Sequence, residues 1–339
     1  MRKKAIFANE GEALVSNVYG GQVEQRLRLH PELDFFPFLL TRDTLIQHAQ
    51  SLRQLEILFS TWGMPVLTGE EIRKYLPHLK AVFYAAGSVQ YFAKPFIEAG
   101  VRVFSAWQAN GIPVAEMTVS QILLANKGYY QGMRRFKTQG HISSSSYCHT
   151  FPGTYDGVPI GLIGCGAIGS MVAEQLHKSH SCQLLAFDPF LSQERAQQLH
   201  VEKVSLEELF SRCQTISNHM ANNPQTVGML NYSLFCRMKS NATFINTGRG
   251  AQVVESDLVR ALQEEPDRTA LLDVTWPEPP AEDSPLYSMD NVFLTPHIAG
   301  SMGLEVKRMG LYMEQCCDAF LKGEAVPYEV TGDMLQTMA

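Results

Sequence analysis

Residues 160–170, IGLIGCGAIGS, pass from a short apolar run into three glycines spaced as Gly164-Cys165-Gly166-Ala167-Ile168-Gly169. A G-x-G-x-x-G that ends a strand and opens a helix gives each glycine its own task. Gly164 makes the tight turn, Gly166 lets a pyrophosphate approach the backbone, and Gly169 lets helix and strand pack closely. Phosphates then rest on the free N–H groups around Ala167 and Ile168, at the positive end of the helix. A lone fingerprint is a weak signal, and Asp188 strengthens it. That residue lies nineteen positions after Gly169, at the end of the next apolar run, LLAFDP (184–189). A carboxylate there accepts the ribose hydroxyls and repels a 2′-phosphate, so NAD is expected rather than NADP. Asp188 also precedes Pro189, an ordinary turn setting for aspartate.

Around this unit, short apolar runs alternate with helix-like stretches: 57–62, 81–87, 101–107, 160–164, 184–189, 242–246, 270–274 and 291–296, with helices over 114–136, 169–180 and 256–264 among those between. Such alternation means α/β architecture with parallel sheets covered on both faces. Because the strands before about residue 108 carry no glycine fingerprint, two doubly wound Rossmann-like domains are expected, with the active-site cleft between them. The boundaries expected are 1–108 plus 304–339 for a substrate-binding domain and 109–303 for an NAD-binding domain. The stretch 141–157 reads as a surface loop.

Composition narrows the class. Apolar residues make up 45% and charged residues 18% of 339 residues, which suits a globular chain of two domains. No apolar run is long enough to span a bilayer, and the amino-terminal MRKKAIFANE reads as a first strand, so a cytoplasmic protein without a membrane partner is expected. A net charge of −6 with scattered basic residues argues against nucleic acid. The seven cysteines form no C-x-x-C pair and no ligand cluster, so neither a disulfide framework nor a metal site is expected.

Ligands of open α/β sheets sit outside the carboxyl ends of the strands, and three such ends carry polar groups. Arg249 stands between two glycines in TFINTGRGAQ (243–252). Asp273 lies in ALLDV (270–274), with Glu278 five residues on, and His297 follows NVFLTP. Taken alone, the arginine could be a solvated turn residue. The segments GLIGCGAIG, NHMANNPQTVGMLN (218–231), INTGRG, LLDVTWPEP and LTPHIAGS together resemble the D-2-hydroxyacid dehydrogenases, the group that includes D-lactate, D-glycerate and phosphoglycerate dehydrogenases. The likeness is dense from about 158 to 303.

That resemblance implies hydride transfer between NAD(H) and C2 of a 2-oxo or D-2-hydroxy acid. Arg249 would grip the substrate carboxylate, His297 exchange a proton with the C2 oxygen, and Glu278 hold the imidazole. Asp273 would accept from the nicotinamide carboxamide, with Thr247, Gly248 and Gly300 lining the cofactor. Met220 falls at a position beside the cofactor that is often threonine, and Ala221 at the usual proline. In the first domain, AAGSVQYF (85–92) departs from the usual Gly-x-Gly-Val-Asp loop, yet the amides of Ala86, Gly87 and Ser88 could still bind the substrate carboxylate. Trp62, Gly63 and Met64 are candidates for shaping its side-chain pocket. The resemblance also implies a homodimer. Two other readings stay open: an NAD-binding regulator of the same fold, and a related dehydrogenase with a different substrate, such as formate or phosphite.

Overall fold

A computed structural model describes residues 2–140, 147–155 and 157–336. These form two compact units: residues up to Gly111 with those from Ser301 onward, and residues Ile112–Gly300. Part of the expected surface loop, residues 141–146 and 156, lies outside the described residues. Among the described residues, no helix is long and apolar enough to cross a membrane.

The first unit is built on β1 (Lys3–Ala8), β2 (Leu33–Phe35), β3 (Leu55–Ser60), β4 (Ala81–Tyr84), β5 (Arg102–Ser105) and the late β13 (Glu329–Val330). Its sheet order is β13-β5-β4-β3-β1-β2, with all pairs parallel except β13 against β5. Phe7, Phe59, Phe83 and Phe104 occupy matched positions on four adjacent strands. Their rings lie 5.6, 5.3 and 5.0 Å apart in that order. Such a row pins the register, because a slip of one residue would turn every ring to the opposite face. The helix Val306–Lys322 covers this row, with Phe320 5.9 Å from Phe83. The other face buries Leu58, Val82 and Val103 in a separate core.

The second unit adds β6 (Pro159–Ile163), β7 (Gln183–Phe187), β8 (Val201–Lys203), β9 (Thr215–Asn218), β10 (Thr243–Asn246), β11 (Thr269–Leu272) and β12 (Val292–Leu294). The order β12-β11-β10-β9-β6-β7-β8 is parallel throughout and reverses direction between β6 and β9. Helices cover both faces. Ala167–Ser179 and the second half of Trp107–Asn126 lie over one core, and Leu206–Arg212 and Glu255–Glu264 over the other. The fold is therefore the two-sheet α/β architecture that the alternation of elements predicts.

Two features differ from the sequence reading. The helix expected over 114–136 is two helices, Trp107–Asn126 and Tyr129–Gln139. Gly128 breaks them with φ +66°, and a Cβ there would strike the Phe151 ring. A side chain at this point is doubly disfavoured, by backbone and by space. The second difference is β9, which does not stand out as an apolar run, since its sequence is TISN. Every residue of it is buried between β6 and β10.

Candidate active site

The reversal between β6 and β9 fixes where a ligand of the second unit belongs, outside the carboxyl ends of these two strands. Gly164 follows β6 with φ +89°, and a Cβ on it would lie 3.0 Å from the His219 backbone that follows β9. A Cβ on Gly169 would strike the Gly164 carbonyl, so the close strand-to-helix packing requires glycine there. Gly166 differs, having nothing within 4 Å of its missing Cβ, and it is exposed. The helix Ala167–Ser179 begins at Gly166 with no side-chain cap. Its first amides, including those of Ala167 and Ile168, are therefore available to a phosphate.

Asp188 is attached to this loop. One carboxylate oxygen accepts the Cys165 amide at 2.8 Å and the other accepts the Phe190 amide at 2.8 Å. The turn role is thus present, and each oxygen keeps a further lone-pair direction open to a ribose hydroxyl. Arg195, the cation close by in sequence, is engaged with Glu174 at 3.4 Å.

Beyond β9 and β10, three buried amides tie the two loops together. Asn218 and Asn246 stand opposite each other at the strand ends. Asn218 Nδ2 donates to Asn246 Oδ1 at 3.0 Å and to Gln252 Oε1 at 2.5 Å. Gln252 Nε2 donates to the carbonyls of Met220 and Ala221, both at 2.8 Å. Asn246 takes the Gly248 amide at 3.1 Å and donates to the Arg249 carbonyl at 3.2 Å. All three side chains are essentially inaccessible to water, so their polar atoms depend on this pairing. The network fixes the Arg249 turn relative to the Met220 loop. Thr247, also buried, meets Thr118 with 3.0 Å between the hydroxyls.

Arg249 is half-buried. Its guanidinium donates from one Nη to the Gly248 carbonyl at 2.8 Å and, among the described residues, forms no salt bridge. Burial lowers its pKa from the ordinary value, and the Glu278 carboxylate nearby partly opposes that. A guanidinium in such a setting stays charged, and among the described residues no carboxylate is in ion-pair contact with it, Glu278 included. A Cβ on Gly250 would strike the Thr275 carbonyl, so the Arg249 turn lies directly against the loop after β11 that carries Glu278.

His297 completes the cluster. Its Nδ1 lies 2.6 Å from Glu278 Oε1, with both side chains partly open to solvent. The residue has φ +54°, a left-handed conformation uncommon for a side chain of this kind. Asp273, buried at the end of β11, holds the loop in that state. Its Oδ1 accepts the Ile298 amide at 2.8 Å and the Thr295 hydroxyl at 2.6 Å, and its Oδ2 accepts the Ala299 amide at 2.9 Å. The His297 amide bonds the Asp273 carbonyl at 3.0 Å. With three donors already on its carboxylate, Asp273 anchors the histidine loop and keeps about one acceptor site for a ligand. Gly300 closes that loop and ends the unit.

In the first unit, Ala86, Gly87 and Ser88 follow β4. Ser105 Oγ bonds the carbonyls of Ala86 and Gly87 at 2.9 and 2.7 Å, while the amides of Ala86, Gly87 and Ser88 donate to nothing among the described residues. Three amides in succession without a protein acceptor among the described residues leave donors free for an anion.

The sequence reading missed Asn218, Gln252 and His219. A glutamine inside the otherwise apolar AQVV was the available signal for Gln252. His219 offered only its place beside the glycine loop. Its two ring nitrogens are buried with no hydrogen-bond partner among the described residues, and burial pushes its pKa down to about 4, so the imidazole is neutral at pH 7.

Comparison with known proteins agrees with this geometry. The family model described as D-isomer specific 2-hydroxyacid dehydrogenase, NAD binding domain, matches residues 119–299, just over half of the chain. A D-3-phosphoglycerate dehydrogenase of Archaeoglobus fulgidus is 34% identical over 202 residues, 60% of this chain and 37% of that protein. The chain thus matches well under half the length of that relative. Among solved structures, apo D-mandelate dehydrogenase of Rhodotorula graminis superposes with a TM-score of 0.76 at 20% identity, covering 97% of this chain and 98% of the other. The NAD-dependent formate dehydrogenase of Staphylococcus aureus, in complex with NAD, gives 0.66 at 25% identity, covering 97% and 99%. The glycine loop therefore lies within the stretch that matches an NAD-binding domain, and the chain belongs to the D-isomer-specific 2-hydroxyacid dehydrogenase family.

Proposed function

We propose that the chain interconverts a 2-oxo acid and a D-2-hydroxy acid, with NAD(H) as the hydride carrier. The observation that carries this reading is a half-buried Arg249 with no ion-pair contact among the described residues, in the same cluster as a His297–Glu278 pair 2.6 Å apart. The glycine loop, the uncapped helix start and Asp188 fit NAD, which when bound supplies or accepts hydride at C2 of the substrate.

The chain's own residues supply the rest. Arg249 binds the substrate carboxylate through two parallel N–H bonds and steadies charge on the C2 oxygen. The amides of Ala86, Gly87 and Ser88 are neutral donors suited to a substrate carboxylate. Glu278 orients the imidazole through Nδ1, leaving Nε2 to give a proton to the C2 oxygen during reduction and to take it back in oxidation. In reduction one hydride and one proton are added, so the ketone becomes a secondary alcohol and the imidazolium becomes imidazole. Asp273, Asn218, Asn246 and Gln252 act as positioning residues. On this reading, residues 112–300 are the NAD-binding domain and the other unit binds substrate, in a cytoplasmic enzyme supplied by the intracellular NADH pool.

Following NADH oxidation with a panel of 2-oxo acids, and then the configuration of the product, tests the proposal. Turnover to the D-hydroxy acid is expected, with kcat/KM for NADH at least about tenfold above that for NADPH. Holding a 2′-phosphate against the Asp188 carboxylate costs on the order of 1 kcal/mol or more, and Arg195 is already engaged with Glu174. Equal use of NADPH would remove the role given to Asp188. Absence of turnover would favour the regulator reading.

A homodimer goes with this function. Leu124, Tyr129, Met133, Phe136 and Tyr155 are exposed on or beside the two helices that Gly128 separates. Apolar surface concentrated in this way suits a subunit contact. Sedimentation at micromolar concentration is expected to give a dimer, and a monomer would refute it.

A further inference from the structure

We infer that the substrate carries a neutral side chain, with neither a phosphate nor a second carboxylate. The inference rests on the proposed reading that the amides of Ala86, Gly87 and Ser88 take the substrate carboxylate. The group attached to that carboxylate must then be met by the loops beside this turn. Without β13, the first sheet has the order β5-β4-β3-β1-β2 and reverses between β1 and β3, which places a ligand at the carboxyl ends of those strands.

The loops there are fastened to one another. Asn9 Nδ2 donates to the Trp62 carbonyl at 2.5 Å, and the Glu10 amide bonds the Gly63 carbonyl at 2.9 Å, joining the ends of β1 and β3. Thr61 Oγ1 donates to the Ala85 carbonyl at 2.8 Å, and the Tyr84 and Tyr91 hydroxyls lie 3.2 Å apart. These bonds join the loop after β3 to the anion turn after β4.

The side chains exposed on these two loops include Trp62, Val66 and Tyr91. Across residues 9–11, 36–41, 61–68 and 85–92 the sequence holds one charged side chain, the acid Glu10. Arg42, which follows the second of these segments, is occupied. Its guanidinium pairs with Glu71 at 2.9 Å and with the Val66 carbonyl at 2.9 Å, and its amide bonds Glu10 Oε1 at 3.1 Å. Against these four segments a second anion on the substrate would meet aromatic and aliphatic surface and a carboxylate, and none of their side chains is a cation that could replace its hydration. The D-3-phosphoglycerate dehydrogenases that match this chain bear a name that implies a phosphorylated substrate, and on this inference the present chain differs from them.

The experiment compares kcat/KM, with saturating NADH and the full chain, for glyoxylate, pyruvate, hydroxypyruvate, 4-methyl-2-oxovalerate and phenylpyruvate against 3-phosphohydroxypyruvate and oxaloacetate. The best neutral acid is expected to exceed both charged ones at least about a hundredfold. Trp62→Arg is expected to raise kcat/KM for 3-phosphohydroxypyruvate at least about tenfold while lowering it for the best neutral acid. A charged acid within tenfold of the best neutral one in the native chain, or a kcat/KM for 3-phosphohydroxypyruvate that Trp62→Arg leaves unchanged, would overturn the inference alone. Turnover of none of the seven acids would overturn the hydride-transfer reading and this inference with it.

Discussion

Arg249→Lys is expected to lower kcat/KM for the best 2-oxo acid at least about a hundredfold while leaving the affinity for NADH almost unchanged. The native guanidinium is half-buried, held at one Nη by the Gly248 carbonyl, and forms no salt bridge among the described residues. Lysine keeps the charge but is a point donor on a flexible stem, and it cannot make two parallel bonds to one carboxylate. Charge-assisted hydrogen bonds contribute roughly 1.5–3 kcal/mol each, so losing one of the pair costs about one to two powers of ten. Lost steadying of the C2 oxygen adds to that and appears in kcat as well as KM. NADH affinity is spared because the bonds made by the Gly248 amide, Asn246 and Gln252 fix the backbone of the turn and do not involve the guanidinium. Steady-state kinetics and a fluorescence titration with NADH check both halves. Near-normal kcat/KM would return Arg249 to the status of a solvated turn residue.

His297→Gln should show a different pattern, with kcat falling roughly 10²- to 10⁴-fold and KM rising far less. General acid–base assistance is realised only in the chemical step, so its loss falls on kcat. Glutamine retains a hydrogen-bonding amide but cannot carry a proton through a full cycle. It also has to occupy a backbone position with φ +54°, held by the Asp273 carbonyl, so comparing melting temperatures separates chemistry from strain. Equal changes in kcat and stability, with the residual activity recovered at lower temperature, would point to folding rather than proton transfer.

The parts of the site that were legible in the sequence are those in which a local constraint coincides with a chemical one. Gly164 and Gly169 must be glycine because a Cβ would press on the His219 backbone or strike the Gly164 carbonyl, and the spacing records this directly. Arg249 was visible because Gly248 and Gly250 flank it, and Gly250 proves to be required by contact with Thr275. β9 was hidden because TISN has no apolar periodicity. Its residues are buried by strands on either side, a tertiary condition that overrides propensity. Asn218, Asn246 and Gln252 were invisible as a set for the same reason, since their bonds exist only once β9 and β10 are neighbours. Asp273 was read as a cofactor contact, and the structure adds three bonds to the loop of residues 295–299. That loop returns to it from more than twenty residues away in sequence. The break at Gly128 depends on Phe151, which the sequence pattern cannot bring to it.

Calorimetric titration of oxamate, an unreactive 2-oxo acid mimic, into the NADH-saturated protein tests the central claim most directly. The account predicts saturable one-site binding by the native chain, requiring NADH, and weakened at least about thirtyfold in Arg249→Lys while NADH itself binds as before. Equal oxamate affinity in the native and Arg249→Lys proteins would contradict it.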